Sequence, residues 1–146
     1  MKRKATAVWQ GDLKAGKGEI TTDSGVLSNT QYSFSTRFEN GTGTNPEELI
    51  AAAHAGCFSM AFSAQLGEAG MVPDSVETTA TVTLEKVECG FAIPEITHDV
   101  VARVPNADEA AVKKAAENAK TGCPISKLFN AKITMNLRVE TTAKVG

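Results

Sequence analysis

The stretch Gly43-Thr44-Asn45-Pro46-Glu47-Glu48-Leu49-Ile50-Ala51-Ala52-Ala53-His54-Ala55-Gly56-Cys57-Phe58-Ser59-Met60-Ala61-Phe62 decides how this chain folds. It opens with the chemistry of a helix start. Asn45 can accept a hydrogen bond from a free first-turn N–H. Pro46 suits the first helical position, where an N–H would go unpaired anyway, and Glu48 stands where a capping-box carboxylate reaches back. Residues 49–66 carry no acidic or basic side chain apart from the imidazole of His54. A helix apolar on every side is a buried helix, so a core helix is expected, ending near Gly70 with Pro73 barring continuation. In its middle sits Cys57, which is either inert packing or a shielded nucleophile.

Upstream, residues 5–9 read as a strand, residues 11–18 as a turn rich in Gly and Lys, and residues 18–22 as extended chain, with Asp23-Ser24-Gly25 closing a hairpin. Tyr32-Ser33-Phe34-Ser35-Thr36-Arg37-Phe38 alternates apolar and polar residues, which predicts a strand with Arg37 on the face opposite Tyr32, Phe34 and Phe38. Downstream, residues 76–87 alternate well, Cys89-Gly90 marks a turn, and residues 91–104 form a second long strand bent at Pro94, so the two make a half-exposed antiparallel hairpin. Asp108 caps a helix through Val112, Ala115, Ala116 and Ala119 that Gly122 ends. Cys123-Pro124 then starts a short helix, and residues 133–139 alternate as a last strand. The sum is an α+β fold, antiparallel sheets around a long buried helix, in a single domain spanning residues 1–146.

A chain of 146 residues with 42% hydrophobic content has material for one domain, or for two small lobes sharing a core. A net charge of −2 gives no electrostatic footprint for nucleic acid or an anionic membrane. The basic start, Met1-Lys2-Arg3-Lys4-Ala5, runs into Trp9, Gly11 and Asp12 without an apolar run, so no secretory leader is expected. Residues 49–66 are borderline in length for a membrane span, but they hold Ser59, Ser63 and Gln65 and are read as core. Three cysteines, an odd number, do not make the disulfide framework of a secreted protein and point to a cytoplasmic chain with redox-active or buried thiols.

Cys123 precedes a proline at a helix start, where unpaired N–H groups and the positive end of the helix favour a thiolate; a cysteine standing in for a serine cap is the plainer reading. Cys89, in a hairpin turn, is read as incidental. His54 and Cys57 lie three apart and share a helix face. That spacing suggests a Cys/His nucleophilic pair, a metal site with Cys123 as third ligand, or simply a core histidine with one hydrogen bond. His98 gives no signal. Arg37 and Glu47, taken alone, read as a solvated strand residue and a carboxylate favoured by the helix dipole.

The segments Thr36-Arg37-Phe38-Glu39, Gly43-Thr44-Asn45-Pro46-Glu47-Glu48-Leu49, Ala52-Ala53-His54-Ala55, Cys57-Phe58-Ser59-Met60-Ala61 and Gly122-Cys123-Pro124-Ile125-Ser126 together resemble the osmotically inducible protein C / organic hydroperoxide resistance family. Gly11-Asp12-Leu13-Lys14 and Ser24-Gly25-Val26-Leu27 match its osmotically inducible branch, and the resemblance runs nearly end to end. It implies a thiol peroxidase acting on organic hydroperoxides in stress defence. Cys57 would be the peroxidatic nucleophile and Cys123 the resolving thiol, with Arg37 and Glu47 assisting. It also implies an intertwined homodimer, an external dithiol reductant of lipoyl type, and no cofactor or metal. Cys89 departs from the family's functional positions.

The chemistry agrees with that implication. A buried thiol needs a cation to become a thiolate, and Arg37 cannot deprotonate. Leu49, Ile50, Phe58, Met60 and Phe62 offer apolar lining for an alkyl tail. Ten residues of helix between Glu47 and Cys57 would set them about 15 Å apart along the axis. Either the helix begins late or bends, or the second subunit supplies one partner, which is the favoured expectation because an uncharged helix needs more cover than so small a chain supplies. The competing reading is a non-catalytic stress-related binding protein for an apolar acyl or aromatic ligand, with no thiol pair close enough to bridge.

Overall fold

The structure is a computed structural model describing residues 1–141. The chain divides into two compact units, Met1–Leu49 and Ile50–Gly146.

In the first unit, β1 (Ala5–Gln10), β2 (Lys17–Thr22) and β3 (Thr30–Tyr32) form an antiparallel sheet in that order. The turn between β1 and β2 is closed by Asp12, whose carboxylate accepts from Ala15 N–H at 2.6 Å. Trp9 and Tyr32 pack across β2 with ring centroids 5.5 Å apart. They meet over Gly18, where an added Cβ would fall 2.4 Å from the Tyr32 ring.

The strand predicted over 32–38 is not one. After β3 the chain turns into a short helix, α1 (Phe34–Phe38). The reason is local. Ser33 Oγ accepts from Thr36 N–H at 3.2 Å while Thr36 Oγ1 accepts from Ser33 N–H at 2.8 Å, a reciprocal cap that pairs two otherwise free donors. Phe34 and Phe38, one turn apart, then stack at 4.9 Å. Alternation of period two and helical spacing of four both fit Phe34 and Phe38; the cap decides between them.

The loop after α1 is drawn back against β3. Thr44 N–H donates to Gln31 O at 3.0 Å. Gly43 has φ +136, and a Cβ there would meet Gln31 O at 2.4 Å, so only glycine fits. The long helix α2 (Pro46–Glu68) begins where expected. Asn45 Oδ1 caps it by accepting from Glu48 N–H at 2.7 Å. The Glu48 carboxylate does not reach back to the cap; it accepts from Thr44 Oγ1 at 2.7 Å.

In the second unit, β4 (Ser75–Val87) and β5 (Gly90–Arg103) form the expected antiparallel hairpin. Its register shifts between Thr83 and Glu85, opposite Pro94, which has no N–H to give the ladder. Helix α3 (Glu109–Gly122), capped by Asp108 through Ala110 N–H at 3.3 Å, and the short α4 (Pro124–Leu128) carry the chain back. Strand β6 (Lys132–Glu140) therefore starts at the same end of the sheet as β5 and pairs with it in parallel, Glu95 opposite Lys132 and Arg103 opposite Glu140. This corrects the all-antiparallel expectation: a crossover through two helices returns a strand parallel, where a hairpin would return it antiparallel.

The core joins Phe58, Phe62 and Leu66 of α2 to Val100 and Ala102 of β5 and to Val112, Ala115, Ala116 and Ala119 of α3. Each buried large side chain contributes about 1.5–3 kcal/mol. Helix α2 ends at Gly70 (φ +79), with Met71 N–H donating to Leu66 O at 2.9 Å. By length and composition it is apolar enough to cross a membrane. Its burial is nonetheless one stripe, His54, Phe58, Phe62 and Leu66, and Met60 on another face is 78% exposed. The expectation of a helix buried all round thus fails within one chain.

Candidate active site

In the first unit the structure brings Arg37 and Glu47 together. Asn45 does this with both ends of its amide. While Oδ1 caps α2, Nδ2 donates to Thr36 O at 2.9 Å, tying α1 to the first turn of α2. Arg37 then donates through Nε at 2.9 Å and Nη2 at 2.7 Å, both to Glu47 Oε1. The second oxygen, Oε2, is buried without a partner, so one buried acceptor beside the guanidinium is left open. The guanidinium also lies 5.3 Å from the centroid of the Phe38 ring. Trp9, Leu13, Tyr32, Phe34, Arg37 and Phe38 border an apolar hollow of about 210 Å³.

In the second unit the structure brings Cys57 and Cys123 together. Cys57 lies on α2 and Cys123 at the joint of α3 and α4, where it ends one helix and precedes Pro124 of the next. Both are free thiols, Cys123 fully buried and Cys57 half-buried. The Cys123 thiol points to Cys57 Sγ at 2.8 Å. Burial pushes the Cys57 thiol above its ordinary range, and its contact with Cys123 adds to the rise; the N–H of Ile125, aimed at the Cys57 sulfur, works against it. The amide at the start of α4 thus serves Cys57. Cys123, expected to collect such donors, makes no side-chain cap bond.

Of the readings offered for His54, the plainest holds: it is a core histidine with one hydrogen bond. His54 Nε2 is 2.7 Å from Ser126 Oγ, and its Nδ1 has no partner, so no Cys/His pair forms. Among the described residues no group of three His, Cys, Asp or Glu side chains could hold a metal. His98, on β5, lies edge-on to His54 with centroids 4.1 Å apart, and both rings are fully buried. Burial lowers the pKa of both, that of His98 to about 4, with His54 as a further cause. Sequence reasoning missed Ser126, His98 and Ile125. Only the Gly-Cys-Pro-Ile-Ser segment as a block pointed toward two of them. Cys89 is exposed on the hairpin turn.

The expected apolar lining is partly corrected. Phe58 and Phe62 belong to the core, whereas Ile50 borders a hollow of about 300 Å³ with Ile93, Ile96, Phe129 and Ala131. A larger recess, about 570 Å³, lies on the polar outer face of the sheet by Glu77, Thr79, Asp99 and Arg138 and holds no thiol, so it is set aside as a reaction site.

A free thiol pair in contact, on an α+β scaffold with a long central helix, has the geometry that disulfide formation requires. The chain belongs to the OsmC-like protein family, whose model matches residues 39–138. It is 50% identical over 138 residues to "Peroxiredoxin OsmC" of Escherichia coli (strain K12), covering 94% of this chain and 96% of that protein. The crystal structure of the organic hydroperoxide resistance protein OhrB of Bacillus subtilis matches with a TM-score of 0.72 and 30% identity over 92% of this chain and 98% of that one. An OsmC-like protein from Mycoplasma pneumoniae, at 16% identity and a TM-score of 0.74, shares the fold over 96% and 98% of the two chains.

Proposed function

We propose that this protein is a thiol-dependent peroxidase that reduces organic hydroperoxides, and hydrogen peroxide more weakly, to alcohols in oxidative and osmotic stress defence. The observation that carries the reading is the 2.8 Å approach of the Cys57 and Cys123 sulfurs. The names of the relatives, peroxiredoxin and organic hydroperoxide resistance protein, support it.

Three steps close the cycle. The Cys57 thiolate attacks the outer peroxide oxygen; the O–O bond breaks, Cys57 becomes a sulfenic acid, and the alkoxide takes a proton to leave as alcohol. The Cys123 thiol then condenses with the sulfenic acid, an S–S bond forms, and its proton leaves with the hydroxyl as water. An external dithiol, of lipoyl type, reduces the disulfide by exchange and is itself oxidised. Arg37 supplies the fixed positive charge that a buried thiolate needs, and Glu47 holds the guanidinium in place.

The protein works as a cytoplasmic homodimer in which Arg37 and Glu47 of one subunit serve Cys57 of the other. Support comes from the face of α2 opposite the buried stripe: Ala52, Gly56, Met60 and Gly67 are exposed, small or apolar, and uncharged. Residues 1–146 act as a single domain, a reading supported by similarity that runs through both units. The test is a thiol titration before and after one equivalent of an organic hydroperoxide, with mass spectrometry of the linked peptides. Loss of two thiols and a Cys57–Cys123 peptide pair is expected. An unchanged thiol count, or hydroperoxide consumption by Cys57→Ser that equals wild type, overturns the assignment.

A further inference from the structure

The buried imidazoles have no role in that cycle, yet they sit beside it. His54 and His98 are both fully buried, and three of their four ring nitrogens have no partner. Each unpaired buried polar group carries a desolvation cost, which two apolar rings in the same place would not carry. The polar partner that does exist is informative. His54 lies one turn before Cys57 on the same face of α2. Its Nε2 meets Ser126, which follows Ile125 directly on α4 and lies three residues after Cys123.

Helix α4 has five residues, and its cap residue makes no side-chain bond. A helix so short does not hold itself in place. Its orientation comes from what it docks on, and the 2.7 Å bond from Ser126 to His54 is its buried polar tie to α2. The ring that makes this bond is held by its neighbours: His98 packs edge-to-face against it at 4.1 Å, and Phe129 at 5.5 Å. His98 is in turn braced by Phe58 at 5.0 Å.

We infer that His54 is a positioning residue whose hydrogen bond to Ser126 sets α4 against α2, so that the Ile125 N–H and the Cys123 sulfur both meet the sulfur of Cys57. The inference rests on the peroxidase reading for its catalytic meaning. An imidazole offers Ser126 a hydrogen-bonding nitrogen at that place, which an apolar side chain of similar volume does not.

The full-length variants Ser126→Ala, His54→Phe and His54→Gln test this, the last keeping an amide that can donate or accept near the position of Nε2. Two quantities are read. One is the ultraviolet titration of the Cys57 thiolate, with Cys89 and Cys123 replaced by alanine. The other is the rate of disulfide closure after one equivalent of tert-butyl hydroperoxide, followed separately from sulfenic acid formation. Ser126→Ala and His54→Phe are expected to slow closure about tenfold, since displacements near 1 Å have effects of that order or larger. Both should move the Cys57 titration to higher pH, and His54→Gln should recover most of each change. A purely structural role would lower the melting temperature and leave both readouts in place. Closure within twofold of wild type and an unmoved titration in Ser126→Ala overturn the inference, and this one-oxygen variant decides alone if His54→Phe does not fold. A wild-type protein that forms no disulfide sinks the peroxidase reading instead, while the Cys57 titration still tests the tie.

Discussion

The chain handles polar chemistry in two opposite ways. In the first unit Arg37 and Glu47 form an ion pair, with the arginine side chain 39% exposed and the glutamate side chain 12% exposed. In the second, the polar groups are packed in a cluster away from water; burial raises the thiol of Cys57 and lowers both imidazoles, which favours the uncharged form of each. The difference teaches where charge can be kept. A guanidinium cannot discharge and needs water or a carboxylate beside it, whereas thiols and imidazoles go neutral when water is removed. On the mechanism proposed above, the Cys57 thiolate borrows its compensating charge from the Arg37–Glu47 pair.

The largest effect should come from the cluster itself. Cys57→Ser is expected to cut peroxide turnover by about three orders of magnitude or more, measured as steady-state consumption with a dithiol reductant. Arg37→Met tests the borrowing. It should lower kcat/KM about a hundredfold. Burial and the contact with Cys123 then favour the acid form of Cys57, so the pH at which it reacts at half its maximal rate should rise relative to wild type. An unmoved pH profile would mean that the two regions do not cooperate.

The neutral cluster also makes a prediction about stability. His98 is pushed down from 6.5 to about 4. Its depressed pKa means that the unfolded chain binds the proton more readily than the folded one. Stability should be intact above about pH 6.5 and lost as pH falls toward 4, by about 2–3 kcal/mol for this residue. Denaturant titrations between those limits should show the loss, and His98→Phe should flatten it; an unaltered slope would contradict the assignment. The smallest effect belongs to the charged side. Asn45→Ala removes a cap worth about 1 kcal/mol. Because the same amide holds Thr36, the activity loss should exceed what the change in melting temperature suggests.

Features that depend on near neighbours were legible in the sequence. The start of α2 at Asn45-Pro46, its stop at Gly70, the Asp108 cap and the break at Cys123-Pro124 are each decided within a few residues. Features that depend on distant neighbours were not. One local feature was missed as well: period two misread residues 32–38, where a Ser33–Thr36 cap spanning three residues outweighs alternation over so short a run. The parallel placement of β6 follows from the direction of a crossover, which no strand pattern encodes. Which stripe of α2 is buried depends on β5 and α3 lying against it, since the helix is apolar on all faces. His98 was silent for the same reason: only a partner forty-odd residues away makes it notable. The thiol pair became legible through the resemblance of whole segments, not through spacing.

Residue 43 leads to a last point about heredity. Because Gln31 O stands where any side chain at Gly43 would begin, even a single methyl there must push the segment off its seat, and with it Asn45, the amide that sets Arg37 against Glu47. A genetic screen for peroxide-sensitive strains should therefore recover glycine replacements at 43 among its hits. Such alleles would leave every sulfur and every ionisable side chain of the proposed site intact and still behave as though the arginine had been deleted.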